Sequence, residues 1–348
     1  MGSRRRLAVI GAAALLAAGG VLTGLLANGN TTAPPDTAVR IRTDAAGRLH
    51  VFDVYYRDLI ADHHELVRRL SLTYTAWNGA KRTAYVVVPR WYSPRRNPSL
   101  PLVISPHGRG VPARDNLHFW GGLPAFGPFA VISPEGQGRV LTRYSWGWRG
   151  EIDDLARMPQ IAAHAFPWLK VDRRRIYGVG SSMGGQETLL LVARYPRLLV
   201  GAAALDSDTD MSARYYAFAK LPYGDGLQAL ARQEIGGVPT AVPHAYELRS
   251  PLYWARAIAR SGVPLHIWWS TRDRIVRNQH AESGRLFRAV RALKPRAAVS
   301  EYVGTWAHSH EFRASARLPL ALLRLELITL SEKIPEPDGV TREPGHPG

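Results

Sequence analysis

Three residues far apart in the chain could together carry out acyl transfer: a serine, a histidine and an aspartate. The serine is Ser182, at the centre of Gly180-Ser181-Ser182-Met183-Gly184, a G-x-S-x-G pattern that follows the apolar run 176–179. A serine hydroxyl attacks a carbonyl well only on a sharp turn, beside a base that takes its proton and beside donors for the developing oxyanion. Glycines two residues to either side make such a strand-to-helix corner possible, because any Cβ there would crowd it. The base is sought in Gly304-Thr305-Trp306-Ala307-His308-Ser309-His310-Glu311-Phe312. His308 is the choice, and His310 stays open because a histidine followed two residues later by Phe312 would also suit a base. Asp273, just past the apolar run 265–270, is the expected acid that orients the histidine, with Asp206 and Asp208 after the run 201–205 as weaker alternatives. Pro106-His107-Gly108-Arg109-Gly110 directly follows another apolar run, and its glycines would let backbone amides turn inward. The expected oxyanion donors are therefore the N–H of Met183 and that of Gly108 or Arg109. His107, His164, His244 and His280 read as loop or helix-surface residues.

Elements must carry these residues to one place. Strand patterns recur at 70–77, 83–88, 102–105, 129–133, 176–179, 201–205, 265–270 and 297–303, and helical ones at 151–166, 185–195, 246–261, 279–293 and 312–330. The early part is strand after strand, whereas the later part alternates helix and strand. That order predicts an α/β fold with a mostly parallel sheet and an antiparallel start. Ser182, Asp273 and His308 then all follow strands, where the loops of an open α/β sheet form the ligand crevice. The stretch 208–242 is longer than a plain connection and could form a small lid. Trp146 and Trp148 could stack on a sugar or an aromatic acyl group, or simply pack; Arg109 or Arg149 could clamp a carboxylate or phosphate, or stay solvated.

The chain has 348 residues and 46% hydrophobic content, enough for one large domain with nothing that forces a second. Its formal charge of +17 favours anionic surroundings such as a cell envelope. Arginine far outnumbers the lysines at 81, 170, 220, 294 and 333, as a GC-rich coding sequence would give, and no arginine run is interleaved with aromatics. No nucleic-acid partner is expected. The absence of cysteine excludes disulfides, thiolate metal sites and a cysteine nucleophile. Arg4-Arg5-Arg6 followed by the uncharged stretch 7–27 reads as an export segment, similar to a twin-arginine signal, cleaved or retained as a membrane anchor. Residues 1–35 are thus read as signal or anchor plus linker, 36–332 as the folded domain outside the cytoplasm, and 333–348 as a disordered tail.

H-G-x-G after an early strand, G-x-S-x-G after a middle one, then Asp273 and His308 after two late ones resemble the α/β-hydrolase superfamily over roughly residues 70–330. Val171-Asp172-Arg173-Arg174-Arg175-Ile176-Tyr177 resembles the V-D-x-x-R-I-Y lead-in of one branch, and Asp153-Asp154 fits it as well. That branch holds secreted feruloyl, acetylxylan and polyhydroxybutyrate esterases and the catalytic domain of prolyl oligopeptidases. The resemblance implies an eight-stranded sheet flanked by helices, a Ser182-His308-Asp273 triad, no cofactor, and a small-molecule or polymer ester as substrate. A serine peptidase or an acyltransferase is the alternative, and a non-catalytic envelope-binding protein the least expected. Residues 38–69 match nothing in that branch.

Overall fold

Apolar runs in which every residue is buried suit strands covered on both faces, and they become the interior of one sheet. The computed structural model describes residues 40–43, 49–52, 64–314, 316–328 and 341–342, all within the unit Val39–Gly348. The export segment and most of the expected tail lie outside the described residues. A hairpin of β1 (Arg40–Thr43) and β2 (Leu49–Phe52) stands apart from the main sheet. The main sheet comprises β3 (Val67–Thr75), β4 (Lys81–Pro89), β5 (Leu100–Ile104), β6 (Ala130–Pro134), β7 (Val171–Ser181), β8 (Gly201–Leu205), β9 (Leu265–Ser270), β10 (Val299–Gly304) and the two-residue β11 (Thr341–Arg342). Their order across the sheet is β11-β10-β9-β8-β7-β5-β6-β4-β3. The sheet is mixed: β6 through β10 run parallel with β5 among them, while β3, β4 and β11 pair antiparallel.

Side chains alternate between two cores, as the period of two requires. Leu102, Ile104, Ile176, Ala202 and Ala204 enter the core under the helices Arg149–Ala165, Met183–Arg194, Ala255–Ser261 and Ser283–Leu293. Val103, Tyr177, Val179, Ala203 and Leu205 enter the opposite one, with Trp120, Phe312 and the helix Leu318–Arg324. The small alanines of β8 let helix Met183–Arg194 settle closely on the sheet centre.

Three expectations change. The single helix expected over 246–261 is two, Pro243–Glu247 and Ala255–Ser261, because Pro251 lies between them and disfavours helical backbone at Ser250. The last helix is confined to Leu318–Arg324, with Pro319 in its first turn. The stretch 208–242 is ordered by two helices, Met211–Phe218 and Gly224–Ile235, packed on a third apolar cluster of Trp146, Met183, Met211, Tyr215, Phe218, Ile235 and Tyr246. Met183 follows Ser182, so this insert builds the wall beside it.

Candidate active site

Strand β7 ends at Ser181 and helix Met183–Arg194 begins one residue after Ser182, which takes φ 58° and ψ −127°. That conformation is costly for a residue with a Cβ and persists only where its surroundings enforce it. The glycines explain how. A Cβ on Gly180 would stand 2.4 Å from the carbonyl oxygen of Gly184, and one on Gly184 would stand 2.2 Å from the carbonyl oxygen of Pro106. The turn therefore closes on itself and presses against the loop after β5. Gly184→Ala should drive the 106–110 loop away and lower kcat by about two orders of magnitude, comparable to losing one oxyanion donor. Turnover of 4-nitrophenyl acetate, with circular dichroism to verify folding, checks this; a rate near wild type would show that the close approach is not needed.

Ser182 Oγ lies 2.9 Å from His308 Nε2, and His308 Nδ1 lies 2.7 Å from Asp273 Oδ2. His308 and Asp273 stand on the loops after β10 and β9. The partners assign the tautomer: Nδ1–H donates to the carboxylate, and Nε2 accepts the serine proton. Asp273 is held by N–H groups of Ile275 at 2.8 Å and Val276 at 2.9 Å on Oδ1, and by the Gln279 side-chain amide at 3.2 Å on Oδ2. Ser182 is partly exposed, while Asp273 is buried. His310 points elsewhere; its ring is largely exposed and meets Glu311 Oε1 at 3.4 Å. Asp208 is paired with Arg214 at 2.7 Å.

The backbone amides of Gly108, Arg109 and Met183 donate to no other group among the described residues. The loop carrying the first two is fixed at both ends: Gly110 N–H donates to the Arg143 carbonyl at 2.9 Å, and His107 is buried beneath it. His107 differs here from the expected surface residue. Its Nε2 accepts from Gly136 N–H at 3.0 Å and its Nδ1 donates to the Gly108 carbonyl at 2.8 Å, a pattern only the neutral ring can make. Burial pushes its pKa down, consistent with that form.

Asp206, the alternative acid, stands beside the Ser182, His308 and Asp273 line and not in it. It accepts from the Trp306 indole N–H at 2.9 Å and from Ser309 N–H at 2.9 Å, so it shapes the loop that carries His308. Ser181 adds a hydroxyl contact to Ser309 at 2.7 Å. Burial, reinforced by the facing Asp273, pushes Asp206 up to about 7, although His308 and the two N–H donors oppose this. Asp206, Asp273 and His308 have ligand-type atoms within 4.8 Å of one another, yet the serine, indole and amide protons already engage their lone pairs, so a metal would have to displace them. The sequence signal for Asp206 was its place directly after β8.

Behind the loops lies a group of buried carboxyls. Glu151 accepts from Gln137 N–H at 2.9 Å, and Glu187 meets Ser145 Oγ. Burial pushes Glu151 from 4.5 up to about 8 and raises Glu187 well above its ordinary value. A carboxyl whose folded pKa is raised binds its proton more tightly folded than unfolded, so its effect on stability is least adverse while protonated and worsens as pH climbs from near 4.5 through about 8. Glu151→Gln should flatten the fall in Tm between about pH 5 and 8 and raise Tm at pH 8 by a few degrees, roughly the shift expected for 1–2 kcal/mol. Thermal melts across that range read it; an unchanged slope would place the pH dependence elsewhere.

Trp146 is wholly buried against Phe218, ring centroids 5.9 Å apart, and Trp148 packs on Trp77 at 5.7 Å and under Arg249 at 4.9 Å. Neither offers a face to a sugar. Arg149 is exposed and sits 3.6 Å from Asp153 on its own helix, which removes it as a substrate clamp.

No protein-family signature and no curated protein matches the sequence. Solved structures do. An acylaminoacyl peptidase of Pyrococcus horikoshii aligns at TM-score 0.55 and 14% identity over 80% of this chain and 45% of that one. The hyperthermophilic esterase of Pyrobaculum calidifontis aligns at TM-score 0.55 and 15% identity over 75% of this chain and 82% of its own. A thermostable esterase from Pseudomonas putida aligns at TM-score 0.55 and 17% identity over 75% and 81%. The chain has the α/β-hydrolase fold. It spans less than half the length of the peptidase it matches, 45%, and most of the length of the esterases.

Proposed function

We propose that this chain is an exported serine hydrolase, a carboxylesterase in which Ser182 is the nucleophile, His308 the general acid and base, and Asp273 the acid that orients it. One observation carries the reading: the unbroken line from Ser182 Oγ through the His308 ring to Asp273, at 2.9 and 2.7 Å. His308 Nε2 takes the hydroxyl proton as Oγ attacks the ester carbonyl. The oxyanion is held by Met183 N–H and by Gly108 or Arg109 N–H. The protonated ring then gives its proton to the departing alcohol, leaving an acyl group on Ser182. Water, deprotonated by His308, attacks that acyl group; the acid leaves and the serine regains its proton.

Esterases among the matching solved structures, aligned over most of their own length, support the esterase reading, and the peptidase alternative is left to the substrate test. Arg4-Arg5-Arg6 and the uncharged stretch after them support export, and the +17 charge supports residence near an anionic envelope. A fluorophosphonate should label Ser182, and short-chain 4-nitrophenyl esters should be cleaved while acylated peptides are not. Peptide release faster than ester turnover would make the chain a peptidase; no label at Ser182 would end the hydrolase reading.

A further inference from the structure

Two arginines line the wall beside Ser182, and they differ in how their charge is met. Arg214 pairs with Asp208 at 2.7 Å, both side chains buried, and donates to the Ile275 carbonyl at 2.6 Å. Its guanidinium carbon lies 4.7 Å from the centre of the Phe218 ring. Arg109, the residue after Gly108 in the loop of candidate oxyanion donors, brings its guanidinium carbon to 5.6 Å from the centre of that same ring. No carboxylate among the described residues comes within 4.0 Å of it, and its Nη1 is buried without a hydrogen-bond partner. Phe218 packs on Trp146, whose backbone N–H meets Met183 Sδ at 3.4 Å, so the Arg109 charge belongs to the wall that adjoins the nucleophile.

A half-buried guanidinium with no carboxylate in ion-pair contact loses hydration and regains only part of it from the more distant charge of Asp208. Burial and the neighbouring Arg214 lower its pKa, but an arginine stays charged. Asp208, the carboxylate whose charge reaches Arg109, is in ion-pair contact with Arg214 instead. We propose that Arg109 is an anion subsite of the active site and that the preferred substrate is an ester carrying a carboxylate. One free guanidinium neutralises one charge, and its flat fork matches a flat monoanion, which favours a carboxylate over a phosphate dianion. The inference rests on the esterase reading and adds the substrate class to it.

The test compares 4-nitrophenyl hydrogen glutarate with its neutral methyl ester, in wild type and in Arg109→Gln and Arg109→Lys, at about 0.5 M salt so that the general positive field is screened. Wild type should prefer the acid by about tenfold or more in kcat/KM. Arg109→Gln should abolish that preference and Arg109→Lys should keep part of it. Taking the ratio within each variant cancels any general loss of rate from a disturbed loop. A wild-type ratio near one, or a preference that survives in Arg109→Gln, overturns the subsite. If neither ester is cleaved, the esterase reading fails by itself, and the subsite is judged by calorimetric binding of monomethyl glutarate to wild type and Arg109→Gln. Binding weakened about tenfold or more in the variant supports it; equal binding, or none to either, overturns it.

Discussion

Ser182→Ala is expected to lower ester turnover by about four to six orders of magnitude, the range seen when an acyl-transfer nucleophile is deleted and only oxyanion donors and binding remain. Stability should hardly change, within about 2 °C in Tm. Among the described residues the hydroxyl meets only His308 Nε2, at 2.9 Å, and the strained φ of 58° is imposed on alanine and serine alike by the packing of Gly180 and Gly184. The variant should also refuse the fluorophosphonate label that wild type accepts. A residual rate within tenfold of wild type would move the nucleophile elsewhere in the fold.

Asp273→Asn should lower kcat by about four orders of magnitude with little change in KM. The asparagine oxygen can still accept from the Ile275 and Val276 amides, which already fill Oδ1 at 2.8 and 2.9 Å. The substituted amide then faces His308 Nδ1 as a donor. Nδ1 must give up its proton to accept, which moves the ring proton to Nε2, where it points at Ser182 Oγ instead of receiving from it. Asp206 cannot take over without loss, because its oxygens are held by the Trp306 indole and the Ser309 amide. A loss smaller than tenfold would show that Asp206 serves as the acid, and Asp206→Asn in the same background would then remove the remainder.

All eight long strands were legible, the interior ones as apolar runs because strands covered on both faces have no choice but to be apolar and the edge strand β3 as an alternating pattern, and the antiparallel start followed from strands with no helix between them. Ser182, Asp273 and His308 were legible because each follows a strand and the corner needs glycines. What excludes His310 was not. Whether His308 or His310 faces the serine depends on the turn at Ser309, which the Asp206 carboxylate and the Ser181 hydroxyl hold, and neither contact leaves a periodic trace. His107 looked like a loop residue because the 135–138 loop that buries it comes some thirty residues later. The break in the helix expected over 246–261 falls at Pro251, whose ring disfavours helical backbone at the residue before it.

The insert is tied to the 139–141 loop, with a consequence for how the wall beside Ser182 can move. Glu234, buried at the end of helix Gly224–Ile235, accepts the N–H groups of Val140 at 2.8 Å and Leu141 at 3.0 Å, and pairs with Arg249 at 3.0 Å. Lifting this helix would strip the carboxylate of these three partners and of the Arg139 N–H at 2.5 Å, and would leave the buried Arg249 guanidinium without its ion pair. Helix Gly224–Ile235 is therefore expected to act as a fixed wall beside Ser182 and not as a moving lid.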